Sequence, residues 1–322
     1  MSTLAPIILF IYNRPDHTLH TLEALAANTL ASESDLFIFA DGPKENASPE
    51  MLDKICQTRE VARSKKWCKN VTVIESEKNK GLAASIISGV TEIVNKYDKL
   101  IVLEDDLVTS PYFLQYMNDA LNVYRNEQKV ACIHGYVEPH KRPLPETFFI
   151  KGADCWGWAT WKRAWDYFNP NGQTLLDELH KRHCEKHFNF DNTYDYIGML
   201  EDQIAGKNNS WAIRWLASAY LNDMYCLYPN KSLVKNIGFD GTGTHCGSCI
   251  FLQEEISSEP VNIIYQTPKE CKKGWNAYKE IFLYRKRNNK TPVEYYGEKI
   301  KKFLKLPLRP IYHFFKRVII NK

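Results

Sequence analysis

Over its first 135 residues the chain alternates two patterns. Short apolar runs occur at Pro6 to Tyr12, Asp35 to Ala40, Val71 to Glu75, Leu100 to Leu103 and Val130 to His134. Such runs predict strands, and the near-continuous ones predict strands covered on both faces. Between them, apolar residues recur every three to four positions, the period of a helix. Thr18 to Asn28 sets Leu19, Leu22, Leu25 and Ala26 on one face. Ser48 to Lys66 opens with a capping serine and with Pro49 at the first helical position, where its missing N–H costs nothing. Leu82 to Lys96 and Ser110 to about Asn126 complete the set. Strands alternating with helices predict an α/β fold around a mainly parallel sheet with right-handed crossovers.

The pattern changes after residue 135. From Lys151 to Trp215 the chain is aromatic and less periodic, and six of its eight tryptophans lie between Trp156 and Trp215. Trp158, Trp161 and Trp165 have the spacing of one helical face. A further α/β stretch runs from Trp211 to about Gly247, and after Gln266 the chain turns basic.

Composition alters this picture little. At 322 residues the chain can bury roughly three-quarters of its unfolded surface. Hydrophobic residues make up 44% and charged residues 25%, which is ordinary for a globular protein. A net charge of +4 is too small to argue for nucleic acid, and none is expected as a partner. Nine cysteines, an odd number, argue against a disulfide framework. The apolar run at Ala5 to Tyr12 is too short for a secretory leader and ends in Asn13-Arg14-Pro15. These features predict a reducing, cytoplasmic setting.

The chemistry concentrates at the ends of the predicted strands. Leu100 to Leu103 is followed by Glu104, Asp105 and Asp106. Three carboxylates at the end of an inner strand must face water, a cation or a donor. That edge is where open α/β sheets bind ligands. Hard oxygen ligands there suit Mg²⁺ or Mn²⁺, which suit a diphosphate. Two more loops should meet at the same edge: Tyr12-Asn13-Arg14-Pro15 and Asp41-Gly42-Pro43. Asp41 could accept from a base or ribose, and Arg14 could pair with phosphate. Read alone, Asp41-Gly42-Pro43 is equally a plain turn, and the acidic trio equally a helix-capping turn. Lys78 lies in the turn Lys78 to Gly81, before the third helix.

Taken in order, Asn13-Arg14-Pro15, Asp41 and Ile-Val-Leu-Glu-Asp-Asp-Leu resemble a GT-A glycosyltransferase, nearest to the N-acetylglucosaminyltransferase I type and its bacterial relatives. The resemblance covers about Ile7 to Gly241 and includes a Gly-x-Gly-Trp-like segment, here Gly152 to Trp161. It implies a nucleotide-sugar donor, usually UDP-linked, and a divalent cation. It makes Asp106 the direct metal ligand, with Glu104 and Asp105 holding ribose and metal waters. Together with the change of pattern along the chain, it suggests a catalytic domain over 1–270, with a nucleotide-binding half over 1–135 and an acceptor-binding half over 136–270. Residues 271–322 form a basic amphipathic extension.

An inverting transfer needs a general base. The family's Trp-Asp-Asp-Trp stretch has its counterpart in Trp211-Ala-Ile-Arg-Trp215, which has no acid. Asp202, with Glu201 beside it, is the first candidate, and Asp154 the runner-up. Arg214 could balance diphosphate charge. Asp154, Trp156, Gly157 and Trp158 could hold a sugar, since rings stack on its C–H faces and small Gly157 admits close approach. His245, after the glycine-rich loop Gly238 to Thr244, is a second metal candidate. His180, His183, Cys184 and His187, and Cys246-Gly-Ser-Cys249, have partial zinc spacings without a second half-site. The tail from Glu298 to Lys322 interleaves eight lysines and arginines with apolar residues, which suits an anionic membrane surface on the inner face of the cell membrane. The acceptor implied is a glycan or lipid-linked glycan of a bacterial surface polysaccharide. A sugar nucleotidyltransferase would need a glycine-rich loop where Tyr12 to Pro15 stands. A non-catalytic carbohydrate-binding protein is the remaining alternative.

Overall fold

A computed structural model describes residues 3–239 and 256–288. The predicted alternation forms nearly as read. The chain runs β1 (Ile7–Ile11), α1 (Pro15–Ala26), β2 (Asp35–Ala40), α2 (Pro49–Arg63), β3 (Asn70–Glu75), α3 (Leu82–Tyr97) and β4 (Lys99–Glu104). Then come β5 (Leu107–Thr109), α4 (Phe113–Val123), β6 (Val130–His134), β7 (Thr147–Lys151), β8 (Trp158–Trp161), α5 (Lys162–Trp165) and α6 (Gly172–Lys181). The remainder is α7 (Glu185–Phe188), α8 (Tyr196–Ile204), α9 (Trp211–Leu221), β9 (Tyr225–Pro229), β10 (Val234–Asn236) and α10 (Lys272–Asn288). Local signals act as read: the Ser48 side chain caps α2 by accepting from the Met51 N–H, and Pro49 follows it.

Eight strands form one sheet in the order β3-β2-β1-β4-β8-β6-β9-β7. The first four are parallel, β8 runs antiparallel between β4 and β6, and β7 is antiparallel to β9. Strands β4 and β6 therefore point the same way, with β8 returning between them. One face carries Leu22 and Leu25 of α1, Ala62 of α2 and the apolar residues of α4. The other carries α3, Trp165, Trp211, Trp215 and, from α10, Trp275, Tyr278 and Phe282. A smaller cluster joins α6, α8 and the outer face of α9, so α9 is buried nearly all round.

Two expectations change here. Trp158 and Trp161 belong to a strand, not to one helical face, and they enter the clusters on opposite sides of the sheet. Residues 271–288 are not an extension: α10 covers the sheet through buried Trp275, Tyr278 and Phe282. The tail from Glu298 onward, His245 and the Cys246–Cys249 pair lie outside the described residues. The seven described cysteines are free thiols. Among the described residues no helix is long and apolar enough to cross a membrane.

Candidate active site

The carboxyl ends of β1, β2 and β4 bring their loops to one edge, as the parallel topology requires. Arg14 leads from β1 into α1, and its Nη1 lies 3.0 Å from Asp106 Oδ2 and 3.6 Å from Asp105 Oδ1. Thr21 of α1 donates to the Asp105 carbonyl at 2.8 Å, fixing the acidic turn to the helix. On its other side, β10 pairs with β5, and the Ile237 N–H donates to the Asp106 carbonyl. A Cβ on Gly238 would stand 2.2 Å from Asp106 Oδ2, so a larger residue would have to displace that carboxylate.

The crowding has an electrostatic signature. Burial, then Asp106 and Asp105, push the Glu104 carboxyl well above its ordinary value. Burial and then Asp106 raise Asp105 to about 7, against the opposing pull of Arg14 and the Tyr12 backbone. Excess negative charge is thus packed at this turn, and the oxygens of Asp105 and Asp106 already turn toward one cationic nitrogen. Among the described residues no three His, Cys, Asp or Glu side chains are gathered for a metal. One or two carboxylates completed by a diphosphate and water is a normal way to hold Mg²⁺. The residues fit a divalent ion that arrives with a nucleotide.

Asp41 differs from its expected role. Its Oδ1 accepts from the Gly42 and Lys80 N–H groups, and its Oδ2 from the Gly81 N–H and the Asn79 side chain, all at 2.9–3.1 Å. It braces the loop at 78–81 against β2 rather than presenting open acceptors. Gly42 is required there because the Lys78 backbone lies 2.6 Å from where a Cβ would be. The Lys78 side chain is exposed, and Asn13 turns its amide to the Met51 sulfur.

The antiparallel register of β8 completes the site. Val102 and His134 both pair with Trp158. Strand β8 thus begins beside the carboxyl end of β4, and the loop before it, with Asp154 and Trp156, emerges at the edge that carries Glu104. The Cys155 thiol, pushed up by burial first, also feels both Asp154 and Glu104, which ties the two loops together. Asp154 is about one-third exposed, accepts from the Tyr228 hydroxyl at 3.1 Å and lies 3.6 Å from His134 Nε2. His134 is fully buried, and Nε2 accepts the Trp156 N–H at 2.9 Å. That nitrogen carries no proton, and burial lowers the imidazole's affinity for a second one. The contact with Asp154 is therefore that of a neutral histidine, not an ion pair. The Trp156 ring packs between Tyr136 and Phe239. The Tyr136 hydroxyl donates to Glu138, which Arg285 of α10 grips with both terminal nitrogens.

Four sequence expectations are corrected. Asp202 is half-exposed and paired with Lys207 on α8, which packs on α6 and α9; Glu201 beside it is exposed. Their bonds do not reach the acidic turn. Arg214 is buried and bonded to Ser210 O, Pro170 O and Asn209, so it ties the start of α9 to the chain before α6. Trp158 is wholly buried, stacked on Trp211. Gly157 has a left-handed backbone (φ 61°), and Val234 fills the space where a Cβ would sit, so the chain itself makes the close approach. His187 joins Glu270 and Tyr220 and stacks on Trp275, which disposes of the helical zinc spacing. His134, Tyr136, Glu138 and Arg285 were missed. His134 ends a strand that the sequence does show, so the strand-end rule that found Glu104 could have found it.

A family profile described as Glycosyl transferase family 2 matches residues 7–167. Among solved structures, the mannosyltransferase PcManGT from Pyrobaculum calidifontis, in complex with GDP-Man and Mn2+, is 11% identical over 42% of this chain and 36% of that one, with a TM-score of 0.32. TarS of S. aureus is 16% identical over 47% of this chain and 24% of that one, with a TM-score of 0.30. A UDP-glucose pyrophosphorylase complexed with UDP-glucose is 11% identical over 70% of this chain and 90% of that one, with a TM-score of 0.35. The chain thus spans about a third of the mannosyltransferase and a quarter of TarS. No curated protein sequence matches it.

Proposed function

The chain belongs to glycosyl transferase family 2, and we propose that it is a metal-dependent, inverting enzyme moving a sugar from a nucleotide donor, UDP-linked by preference, to a glycan or lipid-linked acceptor. The observation that supports the reading is the antiparallel pairing of β4 and β8, Val102 against Trp158, by which the loop before β8, with Asp154 and Trp156, and the acidic turn after β4 share one edge of the sheet. Donor and acceptor chemistry then share one cleft.

Asp106, with Asp105, would hold the cation, which would neutralise the charge growing on the diphosphate. Asp154 is the general base in this reading. The acceptor oxygen attacks the anomeric carbon as the bond to the diphosphate breaks, and the acceptor proton passes to a carboxylate oxygen of Asp154. Partial exposure leaves that carboxylate open to an acceptor, while Tyr228 fixes its direction. Arg14 crosslinks Asp105 and Asp106 and could turn to the diphosphate once a cation takes its place. A bacterial surface polysaccharide is the proposed destination, and the basic, apolar tail from Glu298 the proposed seat on an anionic membrane.

Calorimetric titration with UDP, with Mn²⁺ and with chelator, tests the reading. Binding that needs Mn²⁺ and slow hydrolysis of a UDP-sugar are expected. Equal affinity in chelator would remove the metal, and absence of any nucleotide binding would remove the function.

A further inference from the structure

Helix α10 is joined to the loop after β6 by two ion pairs of different kinds. Arg142 and Glu280 meet in solvent, where such a pair contributes little. Glu138 is buried, and Arg285 grips both of its oxygens. A buried pair offsets its own desolvation only when its geometry is good and its remaining lone pairs are used. Here one is used by Tyr136, whose hydroxyl donates to Glu138 Oε2 at 3.2 Å. The fork of Arg285 fixes the plane of the carboxylate, and the carboxylate fixes the phenol.

The Tyr136 ring in turn meets the Trp156 ring edge to face, with centres 4.8 Å apart. The two loops are tied beneath these rings, since the Gly135 N–H donates to the Gly157 carbonyl at 2.7 Å. His134 holds the Trp156 backbone, but the half-buried indole takes its direction from the rings beside it. The second of these is Phe239, at 5.6 Å. Phe239 follows Gly238, the residue pressed against Asp106. One set of contacts thus runs from Arg285 through Glu138, Tyr136, Trp156 and Phe239 to the acidic turn.

We infer that Arg285 is a positioning residue: through Glu138 and Tyr136 it sets the angle of the Trp156 ring, the wall on which a sugar lies in the cleft. The inference rests on the sugar-binding role proposed above for that cleft. It goes further by making α10, which lies beyond the residues matched by the family, a part of the site as well as a cover for the sheet.

Fluorine NMR on the full chain labelled with 5-fluorotryptophan tests it. Trp156→Phe assigns the Trp156 signal among the eight. Tyr136→Phe keeps the ring and the Glu138–Arg285 pair, so it should unfold at nearly the same denaturant concentration yet shift or broaden the Trp156 signal. Arg285→Gln should move that signal too, and Glu280→Gln, which breaks the solvent pair on the same helix, should not. The signals of Trp67 and Trp161, packed on the far face of the sheet, should stay in place. The binding probes are the methyl β-glycosides of glucose, galactose and N-acetylglucosamine, added with UDP and Mg²⁺. At least one should move the Trp156 signal. Tyr136→Phe and Arg285→Gln should each weaken its binding by about fivefold, the loss expected for one hydrogen bond, with UDP affinity unchanged. Arg285→Lys, which can keep one bond to Glu138, should recover part of that loss. A Trp156 signal that Tyr136→Phe leaves in place, an equal response to Glu280→Gln, or no glycoside felt by Trp156 in a chain that binds UDP would each overturn the inference. Failure of the glycosyltransferase reading would show separately, as lost UDP binding in the unaltered chain.

Discussion

The half of the molecule built on β1 to β4 and the half built on β6 to β9 share one sheet but make their sites differently. In the first, each strand is parallel and delivers its next loop to the same edge, so function follows from counting strand ends. Arg14, Asp41 and the acidic turn all arrive this way. In the second, β8 and β7 run backward, and side chains meet by register and by packing from distant segments. Asp154 is held by Tyr228, Trp156 by His134 and Glu138 by Arg285, partners 74, 22 and 147 residues apart in sequence. In the function proposed above, the first half takes the nucleotide and the second the acceptor.

The sharpest test separates the halves by what they lose. Asp106→Ala should abolish Mn²⁺-dependent UDP binding and with it transfer, while Asp105→Ala should leave part of both, as calorimetry and a transfer assay would read. Intact UDP affinity in Asp106→Ala would break the assignment. Next in size, Asp154→Asn should keep UDP affinity and lower kcat by roughly 10²-fold or more, since the amide preserves shape without basicity. Asp202→Asn should stay near the unaltered rate because its partner Lys207 sits in solvent. The reverse result would return the base to α8.

A smaller effect concerns stability. Arg285→Ala strands the buried Glu138 carboxylate and should cost about 3 kcal/mol in denaturant unfolding, with UDP affinity little changed once the protein is folded. Adding Glu138→Gln should recover much of the loss. Smallest is a pH effect. His134 is held neutral, with its proton affinity lowered by burial. The folded state therefore binds fewer protons than the unfolded chain, and stability falls as pH drops below about 6.5, the unfolded value. In thermal melts between pH 5 and 7.5, His134→Gln should show a flatter fall, and an unchanged slope would exclude the imidazole as its source.

Legibility in the sequence followed the same divide. Asp35 to Ala40 and Val130 to His134 are strands with the bounds read from their apolar runs. The acidic trio was visible because three adjacent carboxylates after an apolar run have few explanations. Trp158, Trp161 and Trp165 misled because a four-residue strand followed at once by a helix reproduces helical spacing by accident. Asp202 looked suitable as one of an acid pair ahead of a helix, but exposure is set by packing that no local pattern carries. Asp154 is a single acid in an aperiodic stretch, and its meaning comes from β8 turning back between β4 and β6. Asp41 was found, but its bracing of the neighbouring loop was not: residue type and place are local, whereas the four donors to its carboxylate come from two loops.

The docking of α10 on the sheet also orders events in the life of the chain. Synthesis proceeds from the amino end at about 5–20 residues per second. Strands β1 to β4 and their helices emerge early and can cover one another at once. Phe148 and Tyr228, which Gly274 and Tyr278 of α10 later cover, must wait for that helix. For several seconds a nascent chain would display a finished nucleotide edge beside a bare aromatic surface, the kind that chaperones hold. The residues that close the acceptor side thereby also end its exposure to misassembly, and a message cut short before codon 272 would yield a product that never leaves that state.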